Sequence, residues 1–299
     1  MKHKPLNEQV VVITGATSGI GLATAIAAAQ QGAQLVLAAR SAGALDDIVA
    51  QVNDAGVDEI GVACDVAARA QVDAVATAAV ARFGRIDTWV NNAGVGMFGR
   101  LEDTSEEDAR RLFETNFWGV VNGSLAALPH LRRSGGALIN VGSEVSEAVV
   151  ALQGMYAASK HAVKGFNDAL RVELEQVDDA PISVTLIQPT AVDTPFPQHA
   201  RNYMDQEPKL PTPMIDPARV AEAIVEAAQD PSKAVKVGAM SKVDTAIAKF
   251  APALGDRLGA LQHGRQQYDE RPRNPDGALY RPSETTEVVS QTRGTGGAT

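Results

Sequence analysis

The sequence predicts an α/β protein built on a doubly wound parallel sheet of about seven strands, with helices on both faces. Three observations predict it. Short runs that are apolar at successive positions recur along the chain, as in strands covered on both sides. Longer Ala-rich stretches of helical period alternate with them. Polar or Gly-rich residues close most of the runs, at the strand ends where such sheets bind ligands.

The strands are expected at VVVIT (10–14), LVLAA (35–39), GVAC (61–64), TWVNN (88–92), ALINV (137–141), SVTLIQ (183–188) and AVKVG (234–238). The helices between them are expected over residues 20–31, 44–53, 70–82, 105–132, 155–176 and 217–229. No internal repeat is present. Residues 198–217 are Pro-rich and irregular, which predicts a mobile loop over the crevice. Beyond Gly238, AMSKVDTAIAKFAPALGDRLGALQ has apolar residues at helical spacing and a break at Pro252. It reads as a helical extension packed on its own domain, with a partner helix or a membrane-surface helix as alternatives. From His263 the chain turns polar and rich in Gly, Pro, Arg and Thr, so residues 264–299 are expected to be a disordered tail.

Composition narrows the function classes. A net charge of −9 without Lys or Arg clusters argues against nucleic acid as a partner. The start, MKHKPLNEQ, lacks an apolar core, and no run reaches the roughly 20 apolar residues of a membrane span. A cytoplasmic protein without an integral membrane span is expected. Cys64, the one cysteine, has no partner for an internal disulfide and reads as inert core packing. The five His are scattered, so no metal site is expected.

The first strand runs into TGATSGIG (14–21) and then directly into an Ala-rich helix. Glycines let the backbone approach a pyrophosphate, and the helix N-terminus offers free N–H groups to it. Strand, glycines and helix together make Gly15, Thr17, Ser18, Gly19, Ile20 and Gly21 a dinucleotide cradle. The second strand ends at Ala39 and Arg40. An acid there would hold the ribose of NAD, whereas Arg pairs with the 2′-phosphate of NADP, so NADP(H) is preferred and NAD(H) possible. Asp65, followed by Val66 after the third strand, is placed to meet the adenine edge or to cap a helix.

Tyr156 and Lys160 stand one helical turn apart, which sets a phenol beside an ammonium that favours its ionised form. With TGATSGIG, NNAG (91–94) and YAASK (156–160) in this order, the chain resembles the short-chain dehydrogenase/reductase family over roughly residues 6–238. The resemblance implies a Rossmann-like NADP-binding catalytic domain over 1–238, with the extension at 239–263 beyond it. It identifies Asn116 and Ser143 as completing a tetrad with Tyr156 and Lys160. Hydride would pass between nicotinamide and a carbonyl or alcohol carbon, Tyr156 would exchange the proton, and Ser143 would bond the same oxygen. By the same resemblance Lys160 holds the nicotinamide ribose and Asn116 anchors a proton relay. Asn92, Ala93 and Gly94 then line the groove, while Pro189, Val192 and Thr194 meet the nicotinamide.

Thr190 replaces the family's usual Gly and questions the local geometry, because Thr restricts the backbone. Glu144 either points to solvent, pairs with a base, or helps select the substrate. Wall candidates are Met97, Phe98, Val145, Leu152, Gln153, Phe196, His199, Tyr203 and Met204, mostly apolar, which suits a small to medium hydrophobic carbonyl or alcohol. The resemblance further implies a homodimer or homotetramer. Two other classes stand against this reading: a silent cofactor-binding scaffold, and the epimerase and dehydratase branch, whose glycine spacing differs.

Overall fold

The computed structural model describes residues 2–53 and 58–289. The chain runs β1 (Val10–Thr14), α1 (Gly19–Gln30), β2 (Gln34–Ala39), α2 (Ala42–Asn53), β3 (Glu59–Ala63), α3 (Arg69–Phe83), β4 (Thr88–Asn91) and β5 (Met97–Phe98). It continues through α4 (Glu106–Phe113), α5 (Gly119–Ser134), β6 (Gly136–Val141), α6 (Gly154–Val172) and β7 (Ile182–Pro189). After α7 (Phe196–His199) and β8 (Arg201–Asn202) come α8 (Pro217–Ala227), β9 (Ala234–Val237), α9 (Ala239–Phe250) and α10 (Pro252–Leu261).

Seven strands form one parallel sheet in the order β3-β2-β1-β4-β6-β7-β9. Strand order reverses between β1 and β4, where Ile13 lies between Leu37 and Val90. That reversal opens the crevice at their carboxyl ends. All five residues of β1 are buried, as β-branched Val and Ile favour, and alternate side chains feed opposite faces. Val11 and Ile13 join Leu35, Leu37 and Ile224 in one core; Val10 and Val12 join Val36, Trp89 and Leu138 in the other.

The helix expected over 105–132 is divided by a π turn at Glu114–Trp118, and the one over 155–176 ends in another at Glu173–Val177. A single extra residue per turn leaves the apolar period almost unchanged, so the pattern hides it. Residues 198–217 do not behave as a free loop. Backbone hydrogen bonds tie Tyr203 to Phe98, Glu207 to Glu270, Lys209 to Gln266 and Ile215 to Ala191.

The C-terminal extension packs on its own domain. Ser241 donates to the Gln188 carbonyl at 2.8 Å, and Lys236 reaches Thr245 at 2.5 Å, which seats α9 over β7 and β9. The expected disorder from residue 264 does not hold for residues 264–289, while residues 290–299 lie outside the described part. The 264–289 segment carries little regular structure, as its composition implies, yet it is anchored. Leu279 is fully buried with Val95, Met97 and Leu112, and Tyr280 donates to Asp108 at 2.8 Å. A few well-placed anchors outweigh a polar average.

Candidate active site

The crevice at the strand ends is a cavity of about 670 Å³. Its floor begins at the glycine turn. Gly15 has φ +66°, and a Cβ on it would stand 2.7 Å from Ala93 Cα. Asn92 fixes this turn by donating to the carbonyls of Thr14 and Gly15 at 2.9 and 3.0 Å. Thr17, Ser18, Gly19 and Ile20 line the cavity at the start of α1, where the Gly19 amide donates to the Glu287 carbonyl at 2.8 Å. Gly21 does not line it. A Cβ there would stand 2.0 Å from the Gly15 carbonyl oxygen, so its part is the close packing of helix on turn. The donor set and the shape fit a dinucleotide phosphate.

At the end of β2, Arg40 and Ser41 line the same cavity. Arg40 donates to the carbonyls of Ala278 and Leu279 at 2.5 and 3.2 Å. Asp65 accepts from Arg111 at 2.5 Å and from the Ala67 amide at 3.0 Å, beside Val66. Asn92, Ala93 and Gly94 line the middle of the groove. Asn91 does not reach it. It accepts from the Trp89 indole and donates to Asn140, which donates to Asn167, a buried chain of amides that locks β4 to β6 and α6. Cys64 lines the cavity, but burial pushes its thiol up to about 11, so it stays unreactive.

Tyr156 and Lys160 project from α6 into the cavity, the ammonium 5.8 Å from the phenol ring centroid. Lys160 donates to the Val141 carbonyl at 2.9 Å, and burial pulls its pKa down to about 8. Burial also pushes the Tyr156 phenol above its ordinary value; the Ser143 hydroxyl pulls it back, and the Glu144 carboxylate adds to the rise. Burial therefore outweighs the lowering expected from the Tyr-Lys spacing. Phe196 packs on the phenol with ring centroids 5.3 Å apart. Ser143 caps the short turn Glu144–Ser146 by accepting from the Val145 amide at 3.3 Å, which fixes its hydroxyl toward Tyr156. Asn116 is fully buried in the π turn. It accepts from the Val95 amide at 2.8 Å and donates to the Val95 carbonyl and Ser159 at 3.0 and 3.1 Å. Its Oδ1 and the Lys160 ammonium lie 3.4 and 3.7 Å from where a Gly94 Cβ would stand.

Pro189, Thr190, Val192 and Thr194 line the deep end. The Thr190 side chain fits because Gly238 has no Cβ, which would stand 2.5 Å from Thr190 Cγ2. Glu144 turns inward rather than to solvent. Its Oε2 is buried without a hydrogen-bond partner, and burial pushes its pKa up to about 7, with Asp244 adding to the rise. Of the wall candidates, Val145, Gln153, Phe196 and His199 line the cavity. Met97, Phe98, Leu152, Tyr203 and Met204 do not; Met97 and Phe98 are buried in the pairing of β5 with β8, and Tyr203 bonds Ser105 and Asp108. Walls that sequence reasoning missed come from α9 and α10, among them Met240, Asp244, Ile247 and Leu258, whose amphipathic spacing was the available signal.

A sequence profile of the short chain dehydrogenase family matches residues 9–205. An uncharacterized oxidoreductase of Bacillus subtilis, YxnA, is 44% identical over 94% of this chain and 80% of its own. The putative oxidoreductase SadH of Mycobacterium tuberculosis is 33% identical over 84% of this chain and 94% of its own. Among solved structures, a short chain dehydrogenase/reductase from Burkholderia phymatum in complex with NAD superposes with TM-score 0.75 at 28% identity, covering 84% of this chain and 96% of that one. An alcohol dehydrogenase from Thermococcus sibiricus complexed with 5-hydroxy-NADP gives TM-score 0.68 at 30% identity, over 77% and 95%. The glycine cradle, the inward-facing Ser, Tyr and Lys, and these likenesses agree: the chain belongs to the short-chain dehydrogenase/reductase family of oxidoreductases.

Proposed function

We infer that the protein is an NADP(H)-linked carbonyl reductase or alcohol dehydrogenase for small to medium hydrophobic substrates, working in the cytoplasm as a homo-oligomer. The observation that carries the chemistry is Ser143, Tyr156 and Lys160 on the wall of the cavity whose floor is the glycine turn. The cofactor, when bound, supplies or accepts a hydride at its nicotinamide ring. Gly15, Thr17, Ser18, Gly19 and Ile20 hold its pyrophosphate, Arg40 its 2′-phosphate, and Asp65 and Val66 its adenine. Pro189, Val192 and Thr194 orient the nicotinamide carboxamide, and Asn92, Ala93 and Gly94 flank the ribose. Tyr156 Oη donates its proton to the substrate oxygen in reduction and removes it in oxidation. Ser143 Oγ donates to the same oxygen. Lys160 Nζ holds the ribose hydroxyls, and Asn116 keeps the π turn in place beside that ammonium. Val145, Phe196, Ile247 and Leu258 exclude water from the reacting carbon.

A carbonyl and alcohol panel with NADPH and NADH tests this reading, with Tyr156→Phe as the companion variant. That variant keeps the ring and removes the hydroxyl, so cofactor binding should survive while turnover falls about 10²- to 10⁴-fold. A loss within about threefold would reject Tyr156 as the proton donor, since it is far below what removing a general acid costs. No turnover with any substrate, despite cofactor binding, would favour a silent scaffold.

A further inference from the structure

The C-terminal segment lies across the half of the crevice expected to hold the adenosine. From Asn202, whose amide donates to the Pro275 carbonyl, it passes His199, whose carbonyl accepts from Ala278 at 2.8 Å. The Leu279 carbonyl then sits between two guanidinium groups, accepting from Arg40 at 3.2 Å and Arg111 at 3.3 Å. Pro282 and Ser283 line the cavity beside Arg40. Farther along, the Glu287 carbonyl accepts from the amide of Gly19, the first residue of α1, at 2.8 Å.

Between these two attachments stands Glu284. Its carboxylate accepts a hydrogen bond from the Ser41 hydroxyl, and its Oε2 lies 3.6 Å from where a Cβ on Gly43 would be. Ser41 follows Arg40 and accepts from the Ala44 amide, so the carboxylate sits over the first turn of α2, where anions are favoured. Arg40, the Ser41 hydroxyl and this helix start are the groups that would receive a 2′-phosphate. The chain's own carboxylate takes up one of them, and its own carbonyls take up another.

We propose that Glu284 is a cofactor-specificity residue: its carboxylate occupies the 2′-phosphate site as an intramolecular anion, and this charge weakens NADP(H) binding while leaving NAD(H) binding nearly unchanged. A phosphate and a carboxylate cannot share one hydroxyl and one helix start without repulsion. A ribose 2′-hydroxyl carries no such charge and can donate to the carboxylate. The proposal rests on the reading of Arg40 as the phosphate reader, and it makes the preference of the protein the balance of Arg40 against Glu284.

The test is direct binding in the full chain, by titrating NADPH, NADH, 2′,5′-ADP and 5′-ADP into wild type, Glu284→Gln and Glu284→Ala. Asp269→Asn serves as a charge control, since Asp269 is exposed on the C-terminal chain ahead of residues 278–287. Both Glu284 variants should bind NADPH and 2′,5′-ADP about tenfold tighter or more, with NADH and 5′-ADP shifted less than about twofold. Asp269→Asn should shift nothing. Equal tightening of all four ligands, no tightening, or the same gain in Asp269→Asn would each overturn the proposal while leaving the oxidoreductase reading intact. Failure of every variant to bind either cofactor would overturn both.

Discussion

Among the crevice groups that burial holds away from their ordinary values, Glu144 and Lys160 cost stability at neutral pH. Glu144 has its pKa raised to about 7 in the fold against an ordinary 4.5. Its favourable contribution is therefore present below about 4.5 and lost as pH rises through about 7. Glu144→Gln should raise stability by about 1–3 kcal/mol at pH 8 and change little at pH 4.5, read from urea midpoints. Equal effects at both pH values would mean that ionisation is not the cause. Lys160 has the opposite sign. Its pKa falls to about 8 from 10.5, so its contribution is present above about 10.5 and lost as pH falls through about 8. Lys160→Met should then stabilise the fold by about 1–3 kcal/mol at pH 7 while cofactor affinity and turnover both drop. A variant that loses stability along with activity would show a structural lysine rather than a functional one.

Helix α5 lies so close to β4 that one glycine carries the contact. A Cβ on Gly123 would stand 2.0 Å from Asn91 Oδ1 and 2.8 Å from the Trp89 indole nitrogen, the two atoms whose hydrogen bond starts the amide chain through Asn140. Gly123→Ala should therefore destabilise by about 1–3 kcal/mol, although Ala favours helix. A loss below about 0.5 kcal/mol in urea titration would show α5 free to shift. The same region shows what a sequence can and cannot announce. Strands such as β1 and β6 were legible because a sheet buried on both faces leaves runs of Val, Ile and Leu, and the glycine cradle was legible because turn, strand and helix must follow in order. Asn91 ends a strand beside the crevice yet turns its amide into the core, since position at a strand end does not say which way an amide turns. The π turn around Asn116 was invisible because one inserted residue barely alters a helical period. The anchored segment 264–289 was missed because Leu279 and Tyr280 are few against a polar background.

At the scale of the whole molecule, a net charge of −9 makes copies repel, so association needs a rigid apolar face to overcome it. Among the described residues, the exposed large apolar side chains include two groups on helices. One group includes Trp118, 53% exposed just before α5, with Leu125 of α5 and Val172 at the end of α6 also exposed. The other lies along α9 and α10, with Phe250, Leu254 and Leu261. The first is better built for a self-complementary contact. Trp118 stacks edge-on against Phe117 at 5.3 Å, and Phe117 packs on Phe166 of α6 at 6.3 Å, so the aromatic platform is already ordered before a partner arrives. By contrast α10 has no buried residue to hold its exposed apolar side chains in one arrangement. The expected homo-oligomer should accordingly form through α5 and α6 about a twofold axis. Trp118→Glu combined with Leu125→Glu should yield a monomer in sedimentation velocity at about 10 μM, because a charged residue at the centre of such a patch typically costs about 2 kcal/mol or more. Phe250→Glu should leave the assembly intact. A wild-type monomer at that concentration would remove the oligomer altogether, and dissociation by Phe250→Glu alone would move the interface to α9 and α10.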